Sequence, residues 1–258
     1  VQPFPRVSKV MVIVKTVFRI LGVLLVAATP LVADEPLGFW SFQPLRFTVP
    51  DVAHTDWPVN TIDRFILGRI EQARRQPTVA ANSSVLLRRI CFDVLGLPPT
   101  PGQRERFLSD SHPDAWPQLV DRLLASPHMG ERWGRHWLDV VRFAESYGFE
   151  HDLDNANAYH FRDFVIRAFN DDMPFDRFVR WQLAGDELAA GDALARMATG
   201  FLAAGVHNAD IAKVRVEQER YDELDDLVNT VGTSLLGLSV GCARCHDHKF
   251  DPISQEEY

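Results

Sequence analysis

Apolar residues recur at intervals of three and four along most of the chain, and this spacing restricts its fold more than any other feature. A period near 3.6 residues places such side chains on one face of a helix, so each segment predicts an amphipathic α-helix. The segments are residues 62–70, 87–94, 119–124, 128–145, 155–170, 174–184 and 215–237. Few runs alternate as strands do. The sequence therefore predicts a mainly α fold, an irregular multi-helix domain.

Start and stop signals separate these segments. Asn82 is a candidate N-cap for the helix through residues 87–94, and Gly96 is placed to end it. Thr100 and Gln103 have the spacing of a capping box, with Pro101 at the first helical position. The signals predict two helices separated by a short loop.

The helix predicted over residues 128–145 has an apolar face and an ionic face. The side chains predicted to pack are Trp133, His136, Trp137, Val140, Val141 and Ala144. We expect His136 to be a core histidine on that face. The ionic set comprises Arg132, Arg135, Asp139 and Arg142. It predicts either a charged surface or a cationic cleft for an acidic group.

The segment 215–237 combines an acidic row with an apolar stripe. The row contains Asp222, Glu223, Asp225 and Asp226, and the stripe contains Tyr221, Leu224, Val228, Val231 and Leu235. Adjacent helical residues point in different directions, so the carboxylates favour a solvated face over a pair for acid–base chemistry. Cys91 lies on a periodic apolar face, which predicts an inert core thiol.

The amino-terminal segment has the composition of a signal peptide over residues 1–33, with Met11 as an alternative start. Lys15 and Arg19 precede the apolar run 20–28, which is short for a membrane span. We expect export to the periplasm or cell surface, and no membrane contact beyond this segment.

The segment from Glu35 to Asn60 predicts an extended strap, because its prolines break helices. The mature domain is then expected over residues 34–258. The last residues, 251–258, carry no helix stop signal, which favours a longer protein continuing past Tyr258.

Charge and cysteine content exclude several classes of protein. The formal net charge of -8 gives no basic field for nucleic acid or anionic lipid. The chain contains three cysteines, too few for a disulfide scaffold.

Two of these cysteines form a short motif with a histidine, Cys242-Ala243-Arg244-Cys245-His246. A C-x-x-C-H string arises by chance in roughly one comparable sequence per thousand, and it is the attachment motif of c-type haem. Two thiols at this separation can form thioethers with the haem vinyl groups. His246 then supplies the proximal iron ligand through Nε2, while its other ring nitrogen donates to a carbonyl.

The second axial position stays open at this point, and it separates electron transfer from small-molecule chemistry. The candidates are His54, His112, His128, His136, His151, His160, His207, Met129, Met173 and Met197. Lys249 is a candidate partner of a haem propionate, and His248 lies too close to His246 to reach the opposite iron face.

Three other interpretations of the motif remain open. Zinc could bind Cys242 and Cys245 with His246 or His248, in a structural module or in a metal-dependent enzyme acting on carbohydrate. The cysteines could instead form a redox-active pair or a plain disulfide. An interaction module without a cofactor is the third interpretation.

Three stretches carry a resemblance to a known family, at residues 87–100, 131–143 and 241–252. They are similar to the second planctomycete cytochrome-type domain, a family of unknown function, and the similarity extends from about Phe39 to Tyr258. The resemblance implies an exported domain with a haem motif, followed by a C-terminal companion domain. A redox partner protein or that companion domain is therefore the expected electron partner.

Overall fold

A computed structural model describes residues 43–148, 152–207 and 215–258. The predicted signal peptide lies outside these residues, and the predicted strap begins outside them, so both remain predictions. The chain divides into two compact units, Val1–Pro77 and Thr78–Tyr258.

The described residues are mainly α-helical, as the sequence predicts. The first unit contains α1 (Thr61–Gln72). The second contains α2 (Ser83–Leu95), α3 (Pro101–Ser109), α4 (Ala115–Leu124), α5 (Pro127–Val140), α6 (Tyr159–Asn170), α7 (Phe175–Leu188), α8 (Ala193–Ala198) and α9 (Val216–Val231). Shorter helical turns are the 3₁₀ helix Thr199–Phe201, the π-helix Gly232–Leu236 and the 3₁₀ helix Val240–Arg244. Among the described helices, none has the length and apolar character needed to cross a membrane.

Local signals determine where α2 and α3 begin and end. The Asn82 side chain accepts from Val85 N at 3.0 Å, and Gly96 ends α2 with a φ of 69°, a conformation that favours glycine. Thr100 and Gln103 form the predicted capping box, with distances of 3.2 and 2.8 Å between side chain and backbone. These predictions are confirmed.

Helix α1 forms where predicted but buries a different residue. Asn60 and Asp63 make a capping box at its start. Leu67 is its fully buried side chain, whereas Ile62 and Ile66, whose spacing predicts the helix, are exposed. Periodicity locates the helix correctly without showing what covers its apolar face.

Two apolar clusters form the core of the second unit. The first contains Leu138, Val141, Phe161, Phe164, Val165, Ala168, Phe178, Ala198 and Phe201. The second contains Leu87, Cys91, Val94, Phe107, Ala115, Leu119 and Leu123. Phe161, Phe164, Val165 and Ala168, whose spacing predicts the helix in the segment 155–170, are all buried. Cys91 is a buried thiol, and desolvation raises its pKa.

Helices α5 and α6 pack closely through two glycines. Gly130 and Gly134 lie one turn apart, and a Cβ on Gly134 would lie 3.4 Å from Cγ1 of Ile166. Gly130 N also donates to Oδ1 of Asn170 at 2.9 Å. These contacts place the glycine face of α5, rather than its large aromatic residues, against α6.

The predicted packing face of α5 is consequently wrong in part. Trp133, His136 and Val140 are exposed, and the rings of Trp133 and His136 meet edge to face 5.6 Å apart. His136 is therefore no core histidine. The helix also ends at Val140, earlier than predicted, and Arg142 follows with a φ of 54°.

One buried polar side chain links α5 to α7. Gln182 is fully buried, its Oε1 accepts from Trp137 Nε1 at 2.7 Å, and its Nε2 donates to the Phe178 carbonyl at 2.9 Å. Because both ends of the amide are paired, its burial costs little.

Candidate functional site

The two cysteines of the motif lie on one tight turn. Cys242 belongs to the 3₁₀ helix Val240–Arg244, and Cys245 caps it. Because a 3₁₀ helix has three residues per turn, residues three apart lie on the same side. Both thiols are exposed and free. The turn thus carries two thiols that solvent can reach.

A glycine allows this turn to lie close to α9. A Cβ on Gly241 would lie 2.7 Å from Oδ1 of Asn229, closer than atoms of that kind pack. The π-helix that follows α9 ends at Gly237, which has a φ of 67°. The chain reverses there and returns along α9 as the cysteine turn.

Arg244, between the two cysteines, fastens the turn to α9. Its Nη1 donates to Oδ2 of Asp225 at 2.9 Å, and its Nη2 donates to Asp222. The hydrogen bond from Arg244 lowers the pKa of Asp222, and the same pairing raises the pKa of Arg244. The turn therefore has an ionic attachment that the spacing of the cysteines does not reveal.

The other two carboxylates of the acidic row also have basic partners. Asp226 accepts from Arg142, whose Nε lies 2.9 Å from Oδ1, and Glu223 is paired with His207. The expectation of a simply solvated acidic face is thus corrected. Helix α9 therefore contacts three separate segments through its carboxylates, those of Arg244, Arg142 and His207.

His246 has a hydrogen bond that determines which ring nitrogen is free. Its Nδ1 lies 2.8 Å from the Asp247 carbonyl oxygen. A carbonyl can only accept, so Nδ1 carries the proton and the neutral ring keeps a lone pair on Nε2. The side chain is exposed. This is the tautomer that a histidine needs in order to bind a metal through Nε2.

His248 has a different role from His246. Its side chain is 5% exposed, and its Nδ1 accepts from Asp251 N at 2.8 Å. Its Nε2 lies 3.0 Å from Oγ of Ser239. Both ring nitrogens are therefore occupied in holding the loop after the motif.

The last residues of the chain pack onto the same turn. Gln255 N donates to Oδ1 of Asp247 at 2.9 Å, and its Nε2 donates to the Arg244 carbonyl at 3.2 Å. The Tyr258 hydroxyl donates to Asp225. Burial, together with this hydrogen bond, raises the pKa of Tyr258 to about 12. No short motif in the sequence identifies these contacts.

The candidate second axial ligands lie on several elements. His54 pairs with Glu71, His128 pairs with Glu131, and His112 accepts from Asp114 N. The ring of His160 is tilted against that of Tyr159, with centroids 4.0 Å apart, while Met129, Met173 and Met197 pack against the two cores. His151 lies outside the described residues. None of these described contacts joins a candidate to His246.

The basic residues of α5 and the following loop do not form one cleft. Arg142 is bound to Asp226, whereas the Arg132 side chain lies at the end of α2. A Cβ added to Gly96 would lie 2.8 Å from Cδ of Arg132. Lys249 lies over the ring of Phe250 at 5.2 Å. The ionic set is therefore divided: Arg142 is bound to Asp226, whereas Arg132 and Arg135 line a small cavity beside Gly96.

Within residues 43–148, 152–207 and 215–258, no group of three or more His, Cys, Asp or Glu side chains is arranged to hold a metal ion. A zinc site needs its sulfur and nitrogen ligands within about 2.0–2.3 Å of one point. Covalent haem has no such requirement, because the sulfurs bond to the edge of the porphyrin and the imidazole alone reaches the iron. Cys242, Cys245 and His246 are exposed and both thiols are free, as attachment of a haem would require.

Fold and site together define a mainly helical domain with a C-x-x-C-H turn fastened to an acidic helix. The chain matches the family model PSCyt2, described as a protein of unknown function (DUF1549), over residues 61–258, and it belongs to that family. The family description assigns no activity. No curated protein and no solved structure matched the chain.

Proposed function

We propose that the chain is an exported redox domain that carries one covalent c-type haem. Cys242 and Cys245 form the two thioethers, and His246 binds the iron through Nε2. The observation that carries the proposal is the hydrogen bond from His246 Nδ1 to the Asp247 carbonyl, beside two exposed free thiols on one turn. The bound haem supplies one-electron chemistry.

The protein's own residues orient and polarise the site. The Asp247 carbonyl holds the proton on Nδ1 of His246, which fixes the tautomer and increases the basicity of Nε2. Arg244 and its two carboxylate partners restrain the turn between the thiols. Because these contacts already restrict the turn, less conformational freedom is lost when the haem is attached and the iron is bound.

Export and the electron partner belong to the same proposal. The charged residues before the run at 20–28 favour secretion, and covalent haem of this type is expected in the periplasm or at the cell surface. A C-terminal companion domain, or a separate redox protein, is the proposed partner.

The test is a pyridine haemochrome spectrum with intact mass, on protein secreted by a host that attaches haem c. A c-type α-band and the mass of one added haem are expected, and both should disappear in Cys242→Ala/Cys245→Ala. Cys91→Ala, which alters the buried cysteine, is the matched control and should keep both. An unmodified mass overturns the proposal, and stoichiometric zinc in that sample would favour a metal module.

A further inference from the structure

The second unit also contains an open cavity of about 460 Å³. Its apolar wall includes Phe143, Phe161 and Met197. Several alanines also line it, and their small side chains leave the cavity unfilled. The volume falls within the usual range for small-molecule sites, about 300–1,000 Å³. Neither cysteine of the motif nor His246 is among the lining residues, so this cavity is distinct from the proposed haem site.

Polar side chains converge on the same cavity. Arg196, His160 and Asn157 line it, and none of the described lining residues is acidic. Arg196 is restrained, because its Nη2 donates to the Ala190 carbonyl at 3.0 Å. One donor thus holds the guanidinium, and no other described residue binds it, so its remaining N–H groups can bind a ligand.

A glycine maintains the shape of the wall. A Cβ on Gly200 would lie 2.6 Å from Cβ of Phe161, so a larger residue there would displace the aromatic ring. The rings of Phe143 and Phe161 lie 6.0 Å apart in a tilted arrangement. Such a surface suits a flat apolar group, since aromatic rings pair in tilted and offset geometries.

We infer that this cavity binds a small organic anion with a flat apolar body, its carboxylate or sulfonate held by Arg196. The aromatic and methionine wall accepts the body of the ligand, and the restrained guanidinium selects its charge. A bidentate or charge-assisted bond to Arg196 distinguishes an anion from a neutral molecule of the same shape.

Two fluorescent probes that share their rings and differ by one sulfonate group test the inference. Anilinonaphthalene sulfonate carries the anion, and phenylnaphthylamine has the same rings without it. We expect one site per chain that binds the sulfonate about tenfold more tightly than the neutral probe. Arg196→Gln should remove this preference, and Arg196→Lys should keep most of it because the positive charge remains.

A filling variant tests the location. Ala203 is exposed and lines the cavity, so Ala203→Phe should weaken both probes at least about tenfold. Arg180→Gln and Ala125→Phe alter exposed residues outside the lining and serve as matched controls, with thermal melts to check that each variant folds. Equal affinity for both probes, a preference that survives Arg196→Gln, or binding unaffected by Ala203→Phe would each overturn the inference.

Discussion

Arg244 lies between the two cysteines of the motif, and its Nη1 contacts Oδ2 of Asp225 at 2.9 Å. Asp222, one turn earlier on α9, contacts the other end of the same guanidinium. The Arg244 side chain thus links the cysteine turn to α9, and α9 packs against the first core through Val231. The turn is held by its own middle residue.

Arg244→Gln should loosen the cysteine turn without unfolding the domain. The ion pairs are partly exposed, and such pairs contribute little to global stability, whereas the turn depends on them locally. Hydrogen exchange at amides 240–246 should become faster, by several-fold, while the melting temperature changes little. Arg220→Gln is the control, because Arg220 makes an exposed pair with Glu217 on the same helix. Equal exchange in the two variants would contradict the role given to Arg244.

Tyr258 should give a titration step at high pH. Its pKa rises from the ordinary 10.0 to about 12, chiefly through burial and then through the hydrogen bond to Asp225. Since the folded chain holds this proton more tightly than the unfolded chain, the contribution to stability is complete below pH 10 and is lost as pH rises to about 12. Ultraviolet absorbance should show a step near pH 12 that Tyr258→Phe removes.

Tyr221→Phe is the control for that titration, because Tyr221 is exposed on α9, the helix that contains Asp225. It should leave the step near pH 12 in place. A high-pH step that persists in Tyr258→Phe would show that the group belongs to another residue.

Local signals in the sequence were sufficient to predict most helices, whereas the assignment of Cys242, Cys245 and His246 to a haem remains a prediction. Asn82 and Thr100 act on backbone amides within three residues, so their effect depends on nothing distant. Phe164 and Val165 belong to the apolar stripe of α6, and they are buried because the other residues of the first cluster cover that stripe.

Long-range contacts account for what the sequence did not predict. Arg142 is far from Asp226 in the sequence, and their pairing depends on how α5 and α9 approach. The same limitation explains Tyr221 and Val228, which continue an apolar stripe and are nevertheless exposed. A stripe predicts which face is apolar, whereas its burial depends on whether another element covers it.

Gly130→Ala should destabilise the second unit although alanine favours helix. The added Cβ would meet the Ile166 carbonyl oxygen and would lie 2.6 Å from Cγ of Asn170, so α5 and α6 must separate. Overpacking of this kind costs about 1–3 kcal/mol. The free energy of unfolding in urea should fall by that amount. Gly191→Ala, with no atom within 4 Å of the new Cβ, should be nearly neutral, and equal losses in both variants would contradict the close packing.

His246 and His248 should respond differently to replacement, although they lie two residues apart. In the haem-attached protein, His246→Ala removes the proposed proximal ligand, so the Soret spectrum should change and the yield of haem protein should fall. His248→Ala should keep the Soret position and lower the melting temperature, because Asp251 N loses its acceptor at 2.8 Å. If zinc were bound through both histidines instead, each variant would lose metal. Unchanged Soret spectra in His246→Ala, with haem still attached, would remove His246 from the iron.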